Sequence, residues 1–112
     1  MSFSRDDILI FTNLLRVSDD PMWVRIRTLL QERGIDAKTS ILVESFPDDT
    51  SFYFGVLITK DGSVIQYGFD YLGKEIQNGQ FSEWQDLTQQ YKDMPYCKSV
   101  KTGMILRDEE IR

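Results

Sequence analysis

The side chains that could do chemistry in this chain are carboxylates and tyrosines, because the sequence contains no histidine and a single cysteine. The lack of histidine removes the commonest general base, the usual zinc ligand and every Ser-His or Cys-His nucleophile. Cys97 would need Lys98 or Lys101 to stabilise a thiolate, and an inert, partly buried thiol is the simpler interpretation. We therefore expect no enzyme activity, no catalytic residue, no metal and no cofactor.

Carboxylates at two places have a spacing with a possible chemical meaning. Asp48-Asp49 and Asp61 fall short of the calcium-loop pattern and are explained by turns. Glu44 and Asp70 flank Tyr53 on one sheet face in the register predicted below, and could form the carboxylate pair that glycoside hydrolysis needs. An exposed polar face is the favoured interpretation of these two residues.

The formal net charge of −5 is unevenly distributed along the chain. Acidic side chains outnumber lysines strongly between residues 35 and 93, whereas the first 34 residues are balanced. Such a middle segment disfavours nucleic acid, whose phosphates attract Lys and Arg. It is compatible with a basic protein partner, although acidity can also serve solubility alone.

Tyrosines lie among these carboxylates, and aromatic side chains beside charges can anchor a protein partner. Half-buried tyrosines at the rim of a core are the alternative interpretation. The candidate partner-binding residues are Asp48, Asp49, Tyr53, Asp70, Tyr71, Glu75, Glu83 and Asp86.

Two helices are predicted at the start of the chain. Ser4 can cap a helix over about residues 5–17, whose apolar residues recur at helical spacing. Asp20 and Pro21 suit the start of a second helix, and Gly34 suits its left-handed end. The short link predicts an antiparallel helical hairpin.

Residues 51–71 predict the central β-hairpin, with Asp61-Gly62 as a two-residue turn that places Ile58 opposite Ile65. Thr39–Phe46 predicts a preceding strand, joined through a turn at residues 47–50 that places Val43 opposite Phe54 and Ile41 opposite Val56. In this register one face is apolar and is covered by the helical pair. Its members are Ile41, Val43, Phe52, Phe54, Val56, Ile58, Ile65, Tyr67, Phe69 and Tyr71.

The second face of the hairpin carries Gly55 opposite Gly68, and a facing glycine pair suggests close approach by another element or by a partner. Ser82, Trp84 and Leu87 predict a further helix near residues 82–92 that could fill this gap. Residues 74–77 could form a short strand, and residues 95–112 have both strand and helix features. The predicted fold is a single α+β domain over residues 1–112, with a helical hairpin packed on an antiparallel meander of three or more strands.

No segment has the length and hydropathy of a membrane span, and the first residues lack a signal-peptide pattern. One cysteine agrees with a reducing compartment. We expect a cytoplasmic protein without a membrane or nucleic-acid partner.

From Ser51 to Leu87 the chain has an aromatic strand, an Ile-Thr-Lys-Asp-Gly turn, a second aromatic strand and then Ser82-Glu-Trp-Gln-Asp-Leu87. This order resembles that of small bacterial toxin-immunity proteins, including those of contact-dependent growth inhibition. The resemblance covers about a third of the chain and supplies no site residues. It implies a cytosolic inhibitor that binds a cognate toxin domain, a basic nuclease domain in this interpretation, and occludes its active site or substrate surface.

Two alternatives belong to other functional classes. A type III secretion-like chaperone is also small, acidic and α+β, and binds an effector segment as a homodimer, whereas the immunity interpretation allows a monomer or a homodimer. A small enzyme working through Asp, Glu or Tyr would require a closed pocket with two close carboxylates.

Overall fold

Two helices, a four-stranded antiparallel sheet and a third helix follow one another in a computed structural model, which describes residues 3–49 and 51–110, with the backbone alone at Asp48 and Asp49. The helices are α1 (Arg5–Val17), α2 (Pro21–Glu32) and α3 (Cys97–Glu110). The strands are β1 (Ile41–Asp49), β2 (Phe52–Ile58), β3 (Val64–Asp70) and β4 (Gln80–Asp86), paired in the order β1-β2-β3-β4. This confirms the predicted α+β class and the helical pair on a meander. Among the described residues, no helix is both long and apolar enough to cross a membrane.

The first two helices begin and end at the predicted capping residues. Ser4 Oγ accepts a hydrogen bond from the Asp7 N–H, and the Asp7 carboxylate accepts one from the Ser4 N–H, which completes a capping box. Asp20 caps α2 with Pro21 at its first position, and Gly34 follows α2 with φ +79°. These ends are fixed by local chemistry, which is why the sequence predicts them.

The register of the central hairpin differs from the predicted one by a single residue. Thr59 N–H donates to Ser63 O at 2.9 Å, so the loop contains three residues and Ile58 lies opposite Val64. Gly62 has φ +90°, as the last residue of such a loop requires. An Asp-Gly pair fits two-residue and three-residue loops, and the three-residue loop forms here.

This shift moves the apolar side chains of β3 to the other face of the sheet, so the predicted single buried face is wrong for Ile65, Tyr67 and Phe69. Both faces are buried instead. The α2-side core contains Leu15, Trp23, Ile26, Leu30, Leu42, Leu57, Ile65, Tyr67 and Phe69. The α3-side core contains Ile8, Ile41, Val43, Val56, Ile58, Val64, Tyr96, Val100 and Leu106.

The β1–β2 pairing is also shifted, but with less consequence. Ile41 lies opposite Ile58 rather than Val56, and β1 continues to Asp49, beyond the predicted strand end. Because a shift of two residues preserves the face, Ile41 and Val43 still share a core with Val56, as predicted. The end of the predicted 47–50 turn lies outside the described residues.

The helix predicted near residues 82–92 is wrong, because this segment contains strand β4 and a short 3-10 turn at Tyr91–Asp93. The pairing of β3 with β4 is interrupted by a bulge opposite the Gly68–Phe69 step. The bulge lets Phe81 and Trp84, three residues apart, point to the same face, with ring centroids 5.1 Å apart. The helical spacing of Trp84, Leu87 and Tyr91 does not mark one helix face, because Trp84 packs against the α2-side core and the other two pack against the α3-side core. Residues 74–77 likewise form no strand, since Ile76–Asn78 is a 3-10 turn.

Gly55 and Gly68 do not face each other, which corrects the expectation that a third element fills a shared gap. Gly55 lies opposite Tyr67, and a Cβ on Gly55 would overlap the Tyr67 ring. A Cβ on Gly68 would overlap the Phe52 ring. Each glycine therefore makes room for an aromatic ring of the neighbouring strand, on opposite faces of the sheet.

Helix α3 occupies the segment whose structure the sequence left open. Gly103 lies in the middle of α3, where a Cβ would overlap Val43 Cγ1 and press on Ile58 Cδ1. The glycine allows the helix backbone to approach the sheet closely. The close contact between helix and sheet compensates for the low helix propensity of glycine at position 103.

Helix α1 lies along the free edge of β1. Thr12 Oγ1 accepts a hydrogen bond from the Leu42 N–H at 3.0 Å, and the Arg16 guanidinium donates to Ser40 O. Ile8 packs into the α3-side core and Leu15 into the α2-side core. One helix thus covers a sheet edge and joins the two cores.

Replacement of Gly103 by alanine tests the close helix–sheet contact. In an unconstrained helix this change would stabilise by about 1 kcal/mol. Here we expect a loss of roughly 1–3 kcal/mol in the free energy of unfolding, because the new methyl group overpacks the core. Urea denaturation measures the effect, which should shrink in a Val43→Ala background that removes Cγ1. A Gly103→Ala protein as stable as the wild type would contradict the contact.

Thr12→Val tests the covered edge. The substitution retains the shape of the side chain but leaves the buried Leu42 N–H without its acceptor, at a cost of about 1–3 kcal/mol. Hydrogen exchange should show the Leu42 amide losing protection in Thr12→Val and retaining it in Thr12→Ser. Unchanged protection of this amide in both variants would refute the role of the hydroxyl.

Candidate functional site

Glu44 is a buried carboxylate on β1, with 3% of its surface exposed. A register shift between Leu42 and Glu44 lets Val43 and Glu44 both face α3. The Ser99 hydroxyl on α3 donates to Glu44 Oε2 at 2.8 Å and accepts from the Phe3 N–H at 2.9 Å. A carboxylate in a core wall is rare unless it is hydrogen-bonded, and here one oxygen is held by a buried serine.

Glu44 lines a largely apolar groove between the sheet and the start of α3, with a volume of about 460 Å³. The ring centroids of Phe46 and Phe54 lie 4.9 Å apart, and those of Phe54 and Tyr96 lie 6.2 Å apart. Phe46 is 38% exposed. We call this the Glu44 groove; its lining residues are Glu44, Phe46, Phe54, Gln66, Met94, Pro95 and Tyr96.

Burial sets the protonation behaviour of the two titratable groups in the Glu44 groove. It raises the pKa of the Glu44 carboxyl, and the hydrogen bond from Ser99 opposes that rise in part. Burial also raises the pKa of Tyr96 to about 12, with a further contribution from the negative charge of Glu44. The Tyr96 phenol donates to Gln66 Oε1 at 2.7 Å and remains neutral at physiological pH.

The sheet surface continues from the Glu44 groove toward β4. Phe54 lies opposite Gly68, and Gly68 lies opposite Glu83, so these positions form one row on the α3 side of the sheet. The Phe52 ring covers Gly68, and Asp70 lies opposite Phe52 on the same face. We call Phe46, Phe52 and Phe54 the aromatic face, which has the acidic residues Asp70 and Glu83 beside it.

The other predicted partner-binding residues lie elsewhere. Tyr53 and Tyr71 stack with ring centroids 6.3 Å apart at the margin of the α2-side core. Glu75 is exposed in the turn before β4. Asp86 ends β4 beside Ile65, about 20 Å along the strand from the end that pairs with Asp70. The structure therefore brings Asp70 and Glu83 to one face and Tyr53 and Tyr71 together at another site, and it leaves Glu75 and Asp86 apart from both pairs.

The side chains of Asp48 and Asp49 lie outside the described residues. The possible pairing of Glu44 with Asp70 is wrong, because four residues of β2 separate their rows, or about 13 Å. Glycosidase carboxylates lie at most about 9.5 Å apart, so this pair has the wrong geometry.

The sequence analysis did not predict that Glu44 lines a groove. It placed Glu44 on an exposed polar face. The one available signal was a charged residue inside the apolar run of residues 41–46. Strict alternation along β1 would point Glu44 away from Val43, and only the bulge turns it inward.

The described arginines and carboxylates differ in the partners that they have within the chain. Every arginine in residues 3–49 and 51–110 has a partner within the chain. Arg27 donates to Leu15 O and Ser18 O, Arg25 to Gly79 O, and Arg107 to Lys60 O. The Arg33 guanidinium lies 4.2 Å from the Trp84 ring centroid. The remaining contacts are the pairs Arg5–Glu109 and Arg16–Glu110.

Carboxylates outside α1 and α3 form no ion pair among the described residues, and several accept hydrogen bonds instead. The ion pairs found among the described residues all involve α1 or α3. Asp61 accepts hydrogen bonds from Thr59 and Ser63, and Asp86 accepts them from Thr88. These bonds lower the pKa of each carboxyl. These two carboxylates therefore keep their negative charge at the surface. Within the described segments, no group of three side chains that could hold a metal ion is found.

Comparisons with protein-family models, curated proteins and solved structures find no match to this chain. One buried carboxylate with aromatic and aliphatic walls can bind a group that combines positive charge with an apolar stem.

The pH dependence of stability tests the environment of Glu44. Because the folded-state pKa is raised, this group favours folding most at pH values below its unfolded pKa, and that contribution is lost as pH rises through the folded pKa. We expect Glu44→Gln to gain stability relative to the wild type as pH rises from 4 toward 7. Urea denaturation across this range measures the difference, with Glu83→Gln as the exposed control. A difference that does not change with pH would contradict a buried, ionising Glu44.

Proposed function

We propose that this protein is a cytoplasmic immunity-type inhibitor, which binds a basic toxin domain and occludes its active site or substrate surface. The observation that carries the proposal is that carboxylates outnumber lysines among the described side chains that have no ion-pair partner. The described arginines are bound within the chain, whereas Asp70, Glu83 and Asp86 lie on the sheet without an ion-pair partner among the described residues.

The aromatic face supplies a surface for such a partner. Phe46 is exposed, and Phe52 and Phe54 are half-buried at one end of the sheet. Aromatic side chains bury much area with little loss of conformational entropy, and they are enriched where protein interfaces hold most of their binding energy. Asp70 and Glu83 lie beside these rings, where negative charge steers a basic partner and fixes its orientation.

Inhibition by occlusion requires only a rigid surface of the right charge and shape. The aromatic face belongs to the four-stranded sheet, which is packed by helices on both sides of its other end. A rigid surface loses little entropy on binding, so the contacts contribute more fully to affinity. Among the described residues, Glu44 is the single carboxylate that lines the groove, whereas glycoside hydrolysis needs two. This favours a binding protein over the alternative of a small enzyme.

Co-expression with the product of each neighbouring reading frame of the native host tests the proposal. We expect one neighbour to encode a basic domain that arrests growth, and this chain to restore growth and to co-purify with it. Glu83→Lys should weaken the complex about tenfold at low salt, because it places like charges together. Glu32→Lys makes the same charge change at an exposed site near the end of α2 and should leave the complex intact.

Two outcomes would reject the proposal. One is a chain that rescues growth from none of the neighbouring products and binds none of them. The other is a complex that Glu83→Lys and Glu32→Lys weaken equally, since net charge alone would then explain the binding.

A further inference from the structure

The Glu44 groove combines features that are otherwise unexplained by folding. Its carboxylate is buried, one of its oxygens is held by Ser99, and the rings of Phe46, Phe54 and Tyr96 line the same groove. Aromatic rings present negative faces to cations, and a carboxylate adds a full charge. Together they form a cage suited to a positively charged group.

We propose that the Glu44 groove receives one lysine or arginine side chain of the basic protein partner, an assignment that rests on the proposed function. The aliphatic stem of that side chain packs against Phe46, Met94 and Pro95. Its charged end reaches the Glu44 carboxylate. Long basic side chains commonly bury their stems on apolar surface in this way.

Charge decides the chemical class of the occupant. An apolar side chain in the groove would exclude water and leave the Glu44 carboxylate buried without a counter-charge, which is unfavourable. An acidic side chain would add repulsion. A cation instead pairs with the carboxylate inside an apolar surround, where the attraction is stronger than in water.

The groove is also preorganised for this contact. Ser99 fixes the carboxylate from the side of α3, and the hydrogen bond from the Tyr96 phenol to Gln66 fixes the ring that forms one wall. The side chains need little rearrangement on binding, which lowers its entropic penalty.

Titration of the isotope-labelled full chain with Nα-acetyl-lysine N-methylamide, followed by amide chemical shifts, tests the proposal. We expect saturable shifts at Glu44, Gln66, Met94 and Tyr96 at millimolar concentrations. The norleucine analogue has a similar aliphatic chain but no charge, and it should bind about tenfold more weakly. Equal binding of the two probes, or shifts centred elsewhere, would overturn the proposal.

Matched variants assign the contact to individual side chains. Glu44→Gln should abolish the preference for the lysine probe while the spectrum remains that of the folded protein. Phe46→Ala removes one exposed ring and should weaken the lysine probe several-fold, which keeps the test valid if Glu44→Gln does not fold. Glu32→Gln removes the same charge on the exposed end of α2, away from the groove, and should leave probe binding unchanged. Equal losses in Glu44→Gln and Glu32→Gln would refute a specific site.

The two proposals fail in different experiments. A complex with a basic partner that survives Glu44→Gln and Phe46→Ala unweakened would overturn the groove as a contact and leave the proposed function intact. Selective binding of the lysine probe, together with no rescue of growth by the chain, would overturn the proposed function and leave the cation preference of the groove established.

Discussion

The arrangement of this protein depends on the register of the β2–β3 hairpin. A three-residue loop ending at Gly62 places Ile58 opposite Val64, and this sends Val64 to one face of the sheet and Ile65 to the other. Both faces thereby become apolar. Such a sheet is stable only if helices cover both faces, and the chain provides α2 for one and α3 for the other, while α1 covers the edge and contributes to both.

The features that the sequence predicted correctly are those determined by neighbouring residues. The capping box at Ser4, the proline start of α2 and the glycine after it need no knowledge of the rest of the fold. The features predicted wrongly depend on distant partners. Trp84, Leu87 and Tyr91 have a helical spacing, but Trp84 packs against the α2-side core and the other two pack against the α3-side core. The sequence left the segment around Gly103 open, and Gly103 fits a helix there because Val43 and Ile58 lie beneath it.

The same limit applies to the site. Asp70 and Glu83 were predicted individually from charge, but their common face follows from strand pairing. The predicted two-residue turn gave that pairing a register that is wrong by one residue. Glu44 reaches the groove through a backbone irregularity that has no sequence signature here. The arginines were visible in the sequence as balancing charges. Their hydrogen bonds to backbone carbonyls, two of which lie on segments distant in the sequence, were not.

The hydrogen bond from the Phe3 N–H to Ser99 has a practical consequence. Ser99 accepts this bond with the same hydroxyl that it donates to Glu44, so the backbone just before α1 is linked in two steps to the floor of the groove. A purification tag or fusion joined ahead of Phe3 is therefore attached to the segment whose hydrogen bond to Ser99 helps to orient the Glu44 carboxylate.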